Sequence, residues 1–477
     1  MRCLEHMNNI PELHQKVFKI ISEAARELGC PVYVVGGYVR DYYLGRLEEG
    51  VMDLDFVTVG SGIALARKVA ENIEGSSLAV YQQFGTAQVK AGELELEFVG
   101  ARKESYRKNS RKPLVEDGTL EDDQLRRDLT INALSWSLNK ENYGELIDPF
   151  EGMEDLNNKI VKTPIDPHKT FDDDPLRMMR AIRFASQLDF RIEEKTFEAI
   201  TKMAERISII SKERIIVELN KIILSDHPSL GFTMLFKTGL LKEFFPEMHD
   251  LHGVKEINGV RHKDNFWHTL KVLDNVIELG ADLWLRWAAI MHDIAKPPTQ
   301  RFHEKAGWTF HGHDALGAKW TKRIFRRLGL PLDERMRYVR KLVRLHLRPI
   351  ALVSDEVSDS AIRRLIYEAG DDIDDLMKLC RADITTKNDY KLEKYQKNFD
   401  YVEQRIKEVE EKDRLRKWKN PLSGEEIMEA LNIKPSKTVG EVKDAVKEAI
   451  LNGEIPNEHD AAFNYMMEHK KDFLNNG

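Results

Sequence analysis

The stretch Val51-Met52-Asp53-Leu54-Asp55-Phe56-Val57-Thr58-Val59 sets two aspartates one residue apart in an apolar, β-branched run. That composition predicts a strand over 51–59, and strand residues at i and i+2 face the same way, so Asp53 and Asp55 stand side by side. Two like charges so close repel each other. A divalent cation relieves that repulsion and gathers phosphate oxygens, as metal-assisted nucleotidyl transfer requires. An Asp-x-Asp also simply ends strands, and on this segment alone the two readings are balanced.

The preceding residues tip the balance. Pro31-Val32-Tyr33-Val34-Val35 reads as a buried strand, Gly36-Gly37 as a tight turn, and Tyr38 to Leu44 as a short helix ended by Gly45. Backbone N–H groups at such a turn can face a triphosphate with no Cβ in the way, and Arg40 stands one turn in to grip it. Glu97, in the alternating run Leu94-Glu95-Leu96-Glu97-Phe98-Val99, reads either as a third carboxylate beside the pair or as a solvent-face strand residue.

Two later segments carry further chemistry. Glu121-Asp122-Asp123 leads into Arg126-Arg127-Asp128-Leu129-Thr130-Ile131-Asn132-Ala133-Leu134, which predicts a helix over 125–136 with carboxylates at its positive end. In Asp173-Asp174-Pro175-Leu176-Arg177-Met178-Met179-Arg180, part of a helix expected over Asp173 to Arg183, Asp174 and Arg177 share a face. They read as an ion pair or as a base reader. In the second reading the carboxylate accepts from an exocyclic amine and the guanidinium donates to the adjacent ring nitrogen, a pattern that cytosine and adenine share. Pro175 suits a first helical position and makes Asp174 an N-cap, which competes with base reading.

These four motifs, in this order, resemble those of class II tRNA nucleotidyltransferases and poly(A) polymerases, within the polymerase-β nucleotidyltransferase superfamily, over most of the chain. The resemblance implies Asp53 and Asp55 as catalytic ligands of Mg²⁺, and Gly36, Gly37, Arg40, Arg127, Asp128, Asp174, Arg177 and Arg180 as nucleotide-binding residues. Arg127 and Asp128 would meet the ribose and phosphate. It further implies addition of C, C and A to tRNA 3′ ends from CTP and ATP without a template. A poly(A) polymerase, or an enzyme adding only CC or only A, would share every one of these motifs. The family has Glu-Asp-x-x-Arg where this chain has Asp173, one methylene shorter, in first place.

Seven of the fifteen histidines fall between His262 and His346, a clustering that points to metal. Asn265 to Leu270, Ala289 to Pro297 and Arg381-Ala382-Asp383 resemble the HD-domain phosphohydrolases, which implies His268, His292, Asp293 and Asp383 as ligands. Imidazole with carboxylate suits Mn, Fe, Ni, Co or Mg rather than a thiolate-rich zinc centre. His311, His313 and His346 offer a second metal position, and Lys296 a phosphate contact. Such a body either cleaves phosphoesters or only helps to grip tRNA. A metal phosphohydrolase with a nucleotide-binding head is therefore a rival of another class. A signalling-nucleotide enzyme is a third reading, disfavoured because there the HD module precedes the transferase.

The 477 residues suffice for several domains. The expected division is an α/β, polymerase-β-like head over 1–150, a helical neck over 151–257 with the base-reading helix, an HD-type helical body over 258–396, and a helical, tRNA-binding tail over 397–477. No stretch of 18 or more apolar residues is present and the N-terminus lacks a signal-peptide core, so the expected location is cytoplasmic. Cys3, Cys30 and Cys380 are too few and too scattered for a disulfide framework. Nothing in the sequence sets an oligomeric state. At a net charge of −7, contact with RNA has to come from local basic runs. Three exist, at Arg102 to Lys112, Lys319 to Arg348 and Lys412 to Lys419 around Trp418. Lys103 to Glu121, poor in apolar residues, reads as a mobile loop.

Overall fold

The computed structural model describes residues 10–47, 53–105, 114–352, 358–386, 388–413, 415–416 and 418–475. Val51 and Met52 of the opening strand lie outside them, as do Arg107, Lys108, Arg111, Lys112, Arg414 and Lys417 of the basic runs. The chain forms two compact units, Met1–Phe244 and Phe245–Gly477. Among the described residues no helix is long and apolar enough to cross a membrane.

In the first unit β1 (Val32–Val35), β2 (Asp53–Thr58), β3 (Ser77–Tyr81), β4 (Thr86–Ala91), β5 (Leu94–Gly100), β8 (Ser135–Ser137) and β9 (Leu146–Ile147) build one mixed sheet, ordered β3-β4-β5-β2-β1-β8-β9. Only β2 and β5 run parallel, with Asp55 opposite Glu97. Strand alternation does what the opening stretch predicts: Leu54 and Phe56 are fully buried, while Asp53 and Asp55 open to the other side. Two amphipathic helices, Glu12–Leu28 and Gly62–Glu71, bury Phe18, Ile21, Leu65 and Val69. Phe18 meets Phe56 edge-on, and Phe56 stacks on Phe98 of β5. The face carrying Asp53 and Asp55 is thereby anchored from behind.

Three expectations are corrected. The helix expected over 125–136 is instead a short helix, Leu120–Leu125, a single 3₁₀ turn at Thr130–Asn132, and β8. A Thr119–Asp122 capping box starts the helix early. From Asp128 to Leu138 every residue is buried, so burial overrides local periodicity and β8 pairs with β1. The loop expected over 103–121 has paired flanks: β6 (Arg102–Ser105) and β7 (Leu114–Asp117) form an antiparallel ribbon. The helix expected over Asp173 to Arg183 is broken at Asp174-Pro175, with Pro167–Asp173 before and Leu176–Leu188 after. Proline has no N–H to continue the first helix and opens the second.

The second unit is helical. Its elements are Asn265–Glu278, Leu283–Met291, His313–Leu328, Glu334–Leu345, Asp359–Ala369, Ile373–Ala382, a long helix Asp389–Asp413, and Gly424–Leu431, Lys437–Asn452 and His459–Glu468. The long helix, expected from Tyr395 to Lys417, starts and stops earlier. Two small hairpins, Glu256–Arg261 and Arg301–Thr309, interrupt the helical pattern.

Candidate functional site

In the first unit the motifs converge on a cleft of about 540 Å³. Asp55, Gly36, Gly37, Arg40, Arg127, Asp128, Asp174, Arg177 and Arg180 all line it; Asp53 does not, but shares the Asp55 face of β2.

The glycine turn follows from backbone geometry. Gly36 sits at φ 78° and ψ −133°, which side chains rarely adopt, and a Cβ there would lie 3.2 Å from Arg127 Nη1 and 3.9 Å from Asp55 Oδ2. Arg40 is buried, and much of its guanidinium is occupied: Nη1 donates to Asn132 Oδ1 at 2.6 Å, and Nε and Nη2 donate to Asp41, each at 2.8 Å. It fixes the cleft wall as much as it offers a grip.

The side chains of Asp53 and Asp55 have no hydrogen-bond or ion-pair partner among the described residues, which accords with a ligand role. Desolvation, then the charges of Glu97 and Asp53, push the Asp55 carboxyl up to about 6 against the pull of Arg127. Glu97 is itself raised, by desolvation and by Asp53, against Arg102. This is the like-charge congestion that a divalent cation relieves, so the residues fit Mg²⁺. Groups of three or more ligand atoms within 4.8 Å of one another occur, among the described residues, only in the second unit. Glu97 therefore flanks the aspartate pair rather than completing a closed triad.

Behind the pair stands a lattice of arginines. Asp123 is fully buried and accepts from Arg126 Nε at 2.9 Å and Arg127 Nε at 3.1 Å. Burial works to raise its pKa, yet Arg127 and Arg126 hold it below the usual range. Asp128 accepts from Arg180 Nε at 2.6 Å and from Asn132 Nδ2 at 3.1 Å, and is likewise depressed against its burial. Arg40, Arg180 and Arg183 surround the Phe184 ring, with guanidinium carbons 4.8, 5.7 and 4.0 Å from its centroid. Arg183 is paired with Glu218 at 2.7 Å.

Asp174 and Arg177 do not form the ion pair their spacing allows. Asp174 Oδ1 accepts from Leu176 N at 3.1 Å, so the capping role read from Pro175 is real, and Oδ2 accepts from Arg214 Nη2 at 2.8 Å. Arg177 Nη2 donates to the Arg126 carbonyl at 2.6 Å. The residues that sequence reasoning missed are Asn132, Phe184, Arg214 and Glu218, together with Asp123, read only as part of a helix start. No local signal marks them, because each acts through a partner distant in the chain or on another turn.

The second unit gathers His268, His292 and Asp383 in one cluster, and Asp293, His313 and His346 in another. Asp293 faces both: Oδ2 lies 3.4 Å from His268 Nε2 and 3.2 Å from His292 Nε2, and Oδ1 lies 3.2 Å from His313 Nε2. Asp383 Oδ1 is 2.9 Å from His268 Nε2. Three rings anchor Nδ1 on a backbone carbonyl, His292 on Ala289, His313 on Phe310 and His346 on Val343, and His268 Nδ1 meets the Thr385 hydroxyl. On the three carbonyl-anchored rings this tautomer turns the Nε2 lone pair inward. His292 Nε2 is sealed from solvent with no aligned hydrogen-bond partner. An orphaned atom of this kind fits a divalent cation. His311, expected with this set, is exposed and outside it. Lys296 Nζ reaches Asp293 Oδ2 at 2.5 Å.

Comparison with known proteins agrees with this architecture. The model of the poly(A) polymerase head domain matches residues 32–162, that of a probable RNA- and SrmB-binding site of polymerase A matches 189–251, and the HD-domain model matches 265–386. A protein of Deinococcus radiodurans named A-adding tRNA nucleotidyltransferase is 31% identical over 435 residues, covering 88% of this chain and 92% of its own. A Thermus thermophilus protein named CC-adding tRNA nucleotidyltransferase is 30% identical over 439 residues, covering 90% and 92%. A solved structure described as a CCA-adding enzyme complexed with ATP shares the fold at TM-score 0.65 and 21% identity, covering 97% of both chains.

Proposed function

The chain belongs to the tRNA nucleotidyltransferase and poly(A) polymerase family, and from that premise we propose that it adds C and A to the 3′ ends of tRNA from CTP and ATP. The observation that carries the reading is the aspartate pair of β2 on the same cleft as the glycine turn and the arginine lattice. The 3′-hydroxyl loses its proton to solvent and attacks the α-phosphorus; a 3′-O–Pα bond forms, the bond from Pα to the oxygen bridging to the β-phosphate breaks, and pyrophosphate leaves. Asp53 and Asp55 would hold Mg²⁺, which supplies a lowered hydroxyl pKa and neutralises the leaving group. Gly36 lets the chain pass close to the nucleotide, and Arg127, held by Asp123, presents a cation beside Asp55. Asp128 and Arg180, braced by Asn132, take the sugar and phosphate. Asp174 and Arg177 choose the base, with Arg214 orienting the Asp174 carboxylate and Arg126 the Arg177 guanidinium.

In the second unit, His268, His292, Asp293 and Asp383 would hold one divalent cation, and Asp293, His313 and His346 a second, with Asp293 shared. A bound pair supplies Lewis acidity for phosphoester hydrolysis. Lys296, whose Nζ meets Asp293 Oδ2 at 2.5 Å, would be free to turn to a phosphate once that carboxylate holds a cation.

The decisive assay incubates the protein with Mg²⁺, labelled CTP or ATP, and tRNAs truncated at each terminal position. Incorporation of both nucleotides in the order C, C, A, abolished by Asp53→Ala, supports the reading. The relatives named for A addition or CC addition give the second reading, which predicts that only one class of truncated tRNA is extended. Phosphohydrolysis that survives Asp53→Ala with no incorporation by the parent would show that the head only binds nucleotides.

A further inference from the structure

Between His313 and Arg348 the chain carries eleven Lys and Arg against three Asp and Glu, in a protein of net charge −7. The helices His313–Leu328 and Glu334–Leu345 that hold these residues pack side by side, and beside them runs an open cleft of about 1170 Å³ within the second unit. Much of its positive charge is answered locally: Lys341 pairs with Asp372 at 2.7 Å, Arg348 with Glu368 at 3.7 Å, and Arg337 with Glu334. Lys319, Lys322 and Arg340 line the same cleft, are exposed, and have no acidic partner among the described residues. Like charges collected in one cleft repel each other; of the acids that line it, Glu334, Glu368, Asp372 and Asp375 pair with other cations and Asp282 caps a helix.

We propose that this cleft is a docking surface for the phosphate backbone of RNA, separate from both the nucleotidyl-transfer cleft and the histidine centre. Lys319 and Lys322, three apart on one helix, share a face, and Arg340 on the neighbouring helix lines the same cleft, so a run of phosphates can be met rather than a single one. Aromatic surface accompanies the charge: Trp284 and Arg335 both line the cleft, and the Arg335 guanidinium carbon lies 5.4 Å from the centre of the Trp284 ring. Cations interleaved with rings are how proteins grip nucleic acid without reading its sequence. The size of the cleft selects a polymer, because an isolated phosphate or one nucleotide would leave most of it filled with water. The inference rests on tRNA being the acceptor substrate.

The test compares the full chain with its triple variant Lys319→Gln, Lys322→Gln, Arg340→Gln. Binding of fluorescent tRNA lacking its 3′ terminus is followed by anisotropy from 50 to 300 mM KCl, with inorganic phosphate and ATP as competitors. Each phosphate neutralised contributes about 0.7–0.9 to the slope of log K against log salt, so the variant's slope should be shallower by roughly 2–3. Affinity at 100 mM salt should fall at least tenfold, with unchanged far-ultraviolet circular dichroism and unchanged ATP binding. Parental affinity and slope in the variant, or displacement of tRNA by an equal concentration of phosphate, overturns the proposal. Nucleotide incorporation by the parent is scored separately. Binding with the expected slope but without incorporation would retire the proposed function and leave the docking surface standing.

Discussion

Asp123→Asn separates two physical roles for one carboxylate. If Asp123 merely favours the positive end of helix Leu120–Leu125, removing its charge costs about 0.3–1 kcal/mol. The structure assigns it more. It is fully buried, and its two oxygens hold Arg126 and Arg127 through four nitrogen contacts, Arg126 Nη2 at 2.5 Å and Arg127 Nη2 at 3.0 Å completing the set. Breaking a buried pair from one side costs roughly 3–5 kcal/mol. The arginine side chains are 26% and 19% exposed and recover part of this by turning to water, so a loss of about 2–4 kcal/mol is expected. Arg127, released beside Gly36 and Asp55, should also raise the KM for CTP and ATP severalfold. The assay is hydrogen exchange of the first unit's strand amides against urea, with steady-state incorporation alongside. Asp122→Ala, which breaks the capping box, serves as the control at about 1 kcal/mol with unchanged KM. A loss below 1 kcal/mol for Asp123→Asn, with parental KM, would refute the anchoring role.

Three further outcomes follow from the same geometry. Gly36→Ala forces a side chain into the left-handed region and against Arg127, so the first unit should lose about 1–3 kcal/mol and nucleotide affinity should fall; urea unfolding and CTP titration check both. Asp123 and Asp128 have depressed folded pKa values, so their contribution is fully present above their unfolded value near about pH 4 and is lost as pH falls through the lower folded ones. The double variant Asp123→Asn, Asp128→Asn should therefore show a flatter acid limb than the parent in stability measured from pH 2 to 6, and identical limbs would count against it. In an Asp53→Ala background that silences the head, Mn²⁺ calorimetry should find two sites in the second unit, and His346→Ala should leave one; an unchanged stoichiometry rejects the second position.

Which parts of this were legible in the sequence follows from the range of the interactions. Strands β1, β2, β4 and β5 announce themselves because alternation and glycine turns are local, and Asp53 and Asp55 are legible because a strand fixes their relative direction. The helix that the sequence suggests over 125–136 is absent because every residue from Asp128 to Leu138 is buried, which erases the contrast between faces that periodicity needs. Asp174 shows both outcomes. Its capping of Leu176 follows from the adjacent proline, whereas its ion pair with Arg214, forty residues on, has no local trace. Asn132 is the extreme case, because it joins Arg40 to Asp128 and its importance exists only once the sheet brings those two together.

The same contrast explains why the two proposed metal sites differ in how completely they are built. At β2 the candidate ligands Asp53 and Asp55 come from one strand, whose pleat sets their separation, and a cation there would need substrate phosphates and water to complete its coordination. In the second unit the candidate ligands come from several helices and the turns after them, so packing of those elements has to place each one. Three Nδ1 atoms locked on carbonyls and an Asp293 flanked by both clusters are the signs of that placement. A protein-enclosed centre of this kind is expected to retain its cations when nucleotide is absent, while the aspartate pair of the head should bind Mg²⁺ tightly only together with a triphosphate. Equilibrium dialysis with and without CTP distinguishes the two, and tight Mg²⁺ binding at the head without nucleotide would contradict this account.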